Sequence, residues 1–170
     1  MTTLSAKGTI LASIENNIDD YMELVQTMYD NPEIGNEEFE TLALLVNYLD
    51  QAGFKTTSGY VVPTGFIGEY DTGKAGPTIA VMCEYDALPE VGHGCGHNLI
   101  AGIGIATGEA VKAVIDQFGG KLLVVGTPAE ENFGGKVSMP EAGVFDDVDV
   151  ASMVPPGSDN GGGGRSSALN

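Results

Sequence analysis

Two stretches of the chain hold the residues able to do chemistry. Residues 82–98 read MCEYDALPEVGHGCGHN and residues 126–134 read GTPAEENFG; together they contain both histidines, both cysteines and an adjacent pair of glutamates. Cys95 and His97 stand one glycine apart and offer a thiolate and an imidazole from one tight loop. Gly92, Gly94 and Gly96 allow that loop backbone angles that other residues resist. Joined by a carboxylate, such a pair can hold zinc or another divalent transition metal and leave a position for water. Glu130 and Glu131, if extended, point to different sides, so that one can ligate while the other serves as the base that amide hydrolysis requires.

Each of these features alone has a plainer reading. Cys-x-His can be packing or redox chemistry, and two consecutive glutamates can be a solvated turn. Cys83 sits in an apolar run and reads as a small core residue. His93 can be a ligand, a supporting group or an exposed loop residue, and Asp86 can simply cap its loop. It is the combination at one place that points to a metal site, and the elements around it decide whether there is one place.

Residues 77–84 (PTIAVMCE) and 121–126 (KLLVVG) are near-continuous apolar runs, which predicts strands buried on both faces. Between them, 99–118 predicts a helix whose Gly102, Gly104, Ala106 and Gly108 suit close packing on a sheet. A strand–helix–strand crossover returns the second strand parallel to the first. The loops after both strands then open on the same sheet edge, where ligands bind in open α/β folds. Elsewhere, Ile10, Ile14, Ile18, Tyr21, Val25 and Met28 predict a helix over 9–29, ended by Asn31-Pro32. A second helix lies before Gly53, with Asn36 as its cap. Short strands are expected within 54–71, a helical piece over 136–143 and a third buried strand over 148–154. Strands alternating with helices give an α/β domain in three layers with a largely parallel central sheet.

Neither AGIGIATG nor the tail's four glycines makes a phosphate-binding loop: Thr107 stands where a third glycine is needed, and no Gly-Lys-Ser/Thr follows the glycine run. The formal charge of −17 argues against nucleic acid and anionic membranes as partners. With no basic start followed by an apolar run, and no apolar stretch of membrane-spanning length, the expected location is cytoplasmic.

CEYDALPEVGHGCGHN followed by GTPAEENFGGK resembles the amidohydrolase branch of the co-catalytic zinc aminoacylase/carboxypeptidase family, with p-aminobenzoyl-glutamate hydrolases and related dipeptidases as the nearest likeness. The resemblance runs through nearly all of the chain. It implies a zinc-peptidase-like domain, bound Zn2+ (or Mn2+/Co2+), and hydrolysis of an N-acyl or peptide bond to an amino acid. By motif, Cys95, His97 and Glu131 match metal ligands, Glu130 the general base, and Asp86 the acid that supports the site. Two departures follow. Pro155, in MVPPGSDN, stands where the family carries a further histidine ligand, so at most one metal is expected. Family members also continue through a lid or dimerisation domain and supply a last histidine there. Residues 1–154 are therefore expected to be the N-terminal part of the catalytic domain, and 155–170 a glycine-rich tail leading to that missing domain. A homodimer is expected of the longer form. The competing readings are a truncated, inactive metal-binding domain and a cytoplasmic thiol protein with a redox-active Cys95.

Overall fold

The computed structural model describes residues 5–131 and 135–157. The expected glycine-rich tail lies outside the described residues from position 158 onward. Helix α1 (Ala6–Asn16) begins at Ser5, whose side chain accepts the Gly8 N–H at 3.2 Å. The single helix expected over 9–29 is two: the chain breaks at Asn17, and α2 (Ile18–Asp30) resumes. Asn17 leaves helical geometry at φ −114° and turns its side-chain amide back to the Ser13 carbonyl at 2.9 Å, a local competitor for the backbone's own hydrogen bonds. Helix α3 (Phe39–Gln51) follows, and Gly53, at φ +82°, ends that segment in a left-handed turn. Asn36 is not its cap; it adopts φ +69° in the preceding turn.

Strands β1 (Lys55–Ser58), β2 (Phe66–Asp71), β3 (Thr78–Cys83), β4 (Lys121–Gly126) and β5 (Val150–Ser152) form one sheet in the order β1-β2-β4-β3-β5. β3 is parallel to both β4 and β5, while β2 is antiparallel to β1 and β4. Four of these strands therefore share one direction and β2 runs against them. Helix α4 (His97–Ile115) connects β3 to β4, and α5 (Gly135–Glu141) precedes β5.

Residues alternate between two buried faces. Val81, Cys83, Leu122 and Val124 join Leu45 and Ile105 in the larger core, under helices α2, α3 and α4. Ala80, Leu123 and Val125 pack on the opposite face with Ile67 and Met139, against Val144, Phe145 and Val148. Helices α1 and α2 lie against α4, while α4 contacts β3 and β4 directly. The third strand, expected to be buried, is exposed along its length as β5, because it is the edge strand and pairs only with β3.

At 19 residues, α4 is long and apolar enough to cross a membrane by length and composition, contrary to the expectation above. Its surroundings explain the apolarity: it is the core helix, touching the sheet on one side and α1 and α2 on another. Its glycines set the distance. A Cβ on Gly102, Gly104 or Gly108 would fall 2.3 Å from Val25 Cγ2, 2.4 Å from Cys83 Sγ and 2.6 Å from Val124 Cγ2 respectively.

Gly104→Ala tests this packing. Alanine would gain up to about 1 kcal/mol in helix propensity, but overpacking a rigid core costs about 1–3 kcal/mol. The expected result in urea denaturation is a net loss of stability. Adding Cys83→Ala, which removes the sulfur in the way, should return part of that loss, so that the double variant is more stable than the sum of the two single changes implies.

Candidate metal centre

The β3–β4 ladder runs from Thr78 opposite Lys121 to Cys83 opposite Gly126. The two strands thus end level, and the Thr127 N–H and hydroxyl both donate to the Cys83 carbonyl, at 2.8 and 3.2 Å. Residues 84–97 and 127–131 leave the sheet side by side, as the parallel crossover predicts. Tyr85 anchors the first of these segments: its ring stacks on Phe66 at 5.8 Å and its hydroxyl donates to the Thr64 carbonyl.

His97 opens α4, is 5% exposed and sits at the centre of the site. Its Nδ1 lies 2.9 Å from Asp86 Oδ1, and Asp86 is itself buried. That contact places the proton on Nδ1 and leaves the Nε2 lone pair facing outward. Around Nε2 stand Glu84 Oε2 at 3.6 Å, Glu131 Oε1 at 3.7 Å and Glu130 Oε2 at 3.9 Å. Those separations are too long for hydrogen bonds. They suit ligands of one ion, since atoms about 2.1 Å from a tetrahedral centre are roughly 3.4 Å apart. His97, Glu130 and Glu131 each offer a ligand atom within 4.8 Å of the others, a possible metal-binding site.

Glu130 and Glu131 do not point to opposite sides as an extended backbone requires. Ala129 takes φ +56° and residues 130–131 form a turn, so both carboxylates face the imidazole. Asp86 does more than cap its loop: while Oδ1 holds His97, Oδ2 accepts the Glu131 N–H at 3.0 Å. Burial pushes the Asp86 carboxyl up, but the hydrogen bonds from His97 and from the Glu131 and Glu130 amides outweigh it and hold it below the ordinary carboxylate range. Burial pulls His97 down, and the hydrogen bond and charge of Asp86, with the charge of Glu84, overcome that and raise it.

Cys95 is exposed and lies beside Glu131, whose carboxylate takes its hydrogen bond and pushes the thiol up to about 11. Cys83 is a buried core residue, as its apolar run implies, and burial pushes it up to about 12. His93 is not an exposed loop residue: it is 7% exposed, with burial lowering its pKa. Among the described residues neither His93 nor Cys95 is in the set that faces one ion, which is His97, Glu130 and Glu131.

Sequence reasoning passed over two buried acids. Glu84, 2% exposed, is the last residue of the apolar run 77–84, and an acid closing a buried strand at the ligand edge was the available signal. Glu38 is fully buried, and its Oε1 accepts the Ala129 N–H at 2.8 Å. Nothing in the run NEEFE distinguishes it from its acidic neighbours.

The family model described as Peptidase family M20/M25/M40 matches residues 66–165, that is 100 of the 170 positions. Xaa-Arg dipeptidase of Mus musculus is 36% identical over 150 residues, covering 81% of this chain and 35% of that protein. A p-aminobenzoyl-glutamate hydrolase polypeptide of Escherichia coli (strain K12) is 37% identical over 164 residues, covering 85% and 34%. A solved structure of a proposed aminohydrolase from methicillin-resistant Staphylococcus aureus superposes with TM-score 0.76 at 27% identity, over 84% of this chain and 40% of that one. The chain thus spans about a third of the length of the curated relatives it matches. By the match across β2–β5 and both site loops, the chain belongs to Peptidase family M20/M25/M40.

Proposed function

We propose that this chain carries part of the active site of a metal-dependent amidohydrolase that cleaves an N-acyl or peptide bond to an amino acid, from a dipeptide or an aminobenzoyl-glutamate-like substrate. The observation that carries the reading is His97: its Nδ1 is bound to Asp86, and its Nε2 faces Glu130 and Glu131 at ligand spacing. The names of the curated relatives support the substrate class. In this reading His97, Glu131 and Cys95 hold the ion, and zinc is the metal, because a thiolate selects a soft cation over magnesium or calcium. Bound there, it would polarise the acyl oxygen and an attacking water. Glu130 takes the proton from that water at its carboxylate and returns it to the leaving nitrogen. Asp86 keeps the His97 tautomer and orientation.

A second reading is a domain that binds metal without turnover, and Pro155, at the place where the resemblance expects a histidine, favours it. The third, a redox-active Cys95, is opposed by a thiol pushed up to about 11, since the thiolate is the reactive form. We place the protein in the cytoplasm, free of nucleic acid and membrane and dimeric in its longer form, on the strength of its acidic charge and of the resemblance.

The first test is zinc titration. One ion per chain is expected, with binding abolished by His97→Ala, weakened by Cys95→Ser, and weakened about 10–100-fold by Asp86→Asn. Both the imidazole and the thiol hold their protons more tightly than usual, so a metal must displace them. Affinity should therefore climb as pH rises from 6 through 8 and beyond. An affinity independent of pH removes both groups from the site. The Pro156 ring packs on Gly96, its Cγ 2.9 Å from where a Cβ would be, which brings the segment that holds position 155 to the start of α4 beside His97. Pro155→His should then tighten zinc binding.

The second test separates base from ligand. In a hydrolysis assay on dipeptides and N-acyl amino acids, with the remaining family segment supplied, Glu130→Ala should lose about 10²–10⁴-fold in kcat while retaining zinc. Glu131→Ala should lose the metal itself. The reverse pattern exchanges the two roles.

A further inference from the structure

Glu38 occupies the N-cap position of α3 but makes no capping hydrogen bond to that helix. The α3 amides are served by another residue: Glu33 accepts from Glu40 N–H at 3.1 Å and from Thr41 N–H at 2.7 Å. Glu38 instead turns inward to full burial and gives Oε1 to the amide of Ala129, 91 positions away. A carboxylate is a costly group to bury, and an uncharged residue could occupy a position that caps nothing. The contact falls on the strained point of the site. Ala129 has φ +56°, a conformation that a residue with a side chain keeps only when its surroundings hold it there.

The next residue is Glu130, and one further along the Glu131 N–H is held by Asp86 at 3.0 Å. Two buried acids from different elements therefore grip the backbone on either side of Glu130. The left-handed residue between strand and turn is what brings both glutamate side chains round to His97, as the 3.9 and 3.7 Å separations record.

We infer that Glu38 is the positioning residue of the Glu130–Glu131 pair, holding the turn at Ala129 through its side-chain oxygen, an inference that rests on the metal-centre reading above. The role belongs to the location of an acceptor atom, not to charge, and this separates it from a general electrostatic contribution. Glu38→Gln keeps an oxygen at the same reach without the charge. Glu38→Asp keeps the charge and draws the acceptor back by one methylene.

The experiment compares these two variants with the unmodified chain, with zinc alone as the probe and hydrogen exchange of the Ala129 amide as a second readout. The expected result is that Glu38→Gln retains zinc affinity and slow Ala129 exchange. Glu38→Asp should weaken zinc about 10–100-fold, the range seen when a group behind a metal ligand is lost, and accelerate Ala129 exchange. Equal weakening in both variants would assign the effect to charge and overturn the inference. Faster exchange in Glu38→Asp with unchanged zinc affinity overturns it too, leaving Glu38 a purely structural residue. If Glu38→Asp does not fold, Glu38→Ser takes its place under the same criteria. Should the unmodified chain bind no zinc, the metal reading falls, and the exchange comparison alone decides whether Glu38 holds the turn.

Discussion

The hydrogen bond between His97 Nδ1 and Asp86 Oδ1 is the contact on which the rest of the site depends. Both partners are buried, and each ionised form is unstable there without the other. Their shifts run in opposite directions, with Asp86 held down and His97 held up. The stability supplied by Asp86 is present above the pKa of an unfolded aspartate and lost as pH falls through its depressed folded value. That supplied by His97 is present below the pKa of an unfolded histidine and lost as pH rises through its raised folded value. The metal-free pair is therefore most stabilising in the interval between, which is where a bound metal would compete with the His97 proton.

The same interval explains the arrangement of acids. Glu84, Asp86, Glu130 and Glu131 all approach one imidazole. In a chain of formal charge −17 this concentrates like charge at a single sheet edge. A divalent cation reverses that local electrostatics: the carboxylates that suppress the Cys95 thiolate in its absence become ligands or neighbours of a positive centre, beside which a thiol deprotonates. The high pKa of Cys95 is thus a property of the metal-free site and is compatible with its proposed role as a ligand.

The sequence shows what is periodic or local. The apolar runs 77–84 and 121–126 became β3 and β4 with little change of bounds, and their parallel pairing followed from the helix between them. His97, Glu130 and Glu131 could be placed on one edge by that topology alone. Other features depended on single backbone angles or distant partners. The break at Asn17 interrupts a helical pattern that continues on both sides, because a side-chain amide competes with the backbone there. The facing of Glu130 and Glu131 depends on Ala129 at φ +56°, which an alanine does not advertise. Glu38 looks like one acid in an acidic run, and only the contact to Ala129, 91 residues on, sets it apart. The short strands expected within 54–71 are β1 and β2, but nothing in that segment indicates that β2 runs antiparallel to both its neighbours.

A chain spanning about a third of its relatives' length can still hold this much of a site, and the sheet explains why. Register is a local property: Thr78 to Cys83 meet Lys121 to Gly126 residue for residue, and both neighbours of that ladder, β2 and β5, are present. Register brings the two loops together, and Glu38, from the start of α3, reaches the second of them through the Ala129 amide. A third approach comes from the segment after β5, where Pro156 packs on Gly96 at the base of α4. Three successive parallel strands thus deliver three segments to one edge, and two of them carry the His97, Glu130 and Glu131 side chains that face one another. In the third, Pro155 has a side chain that offers no lone pair. The backbone of this segment thus reaches the end of the sheet that carries His97, and the side chain it holds at 155 cannot ligate a metal.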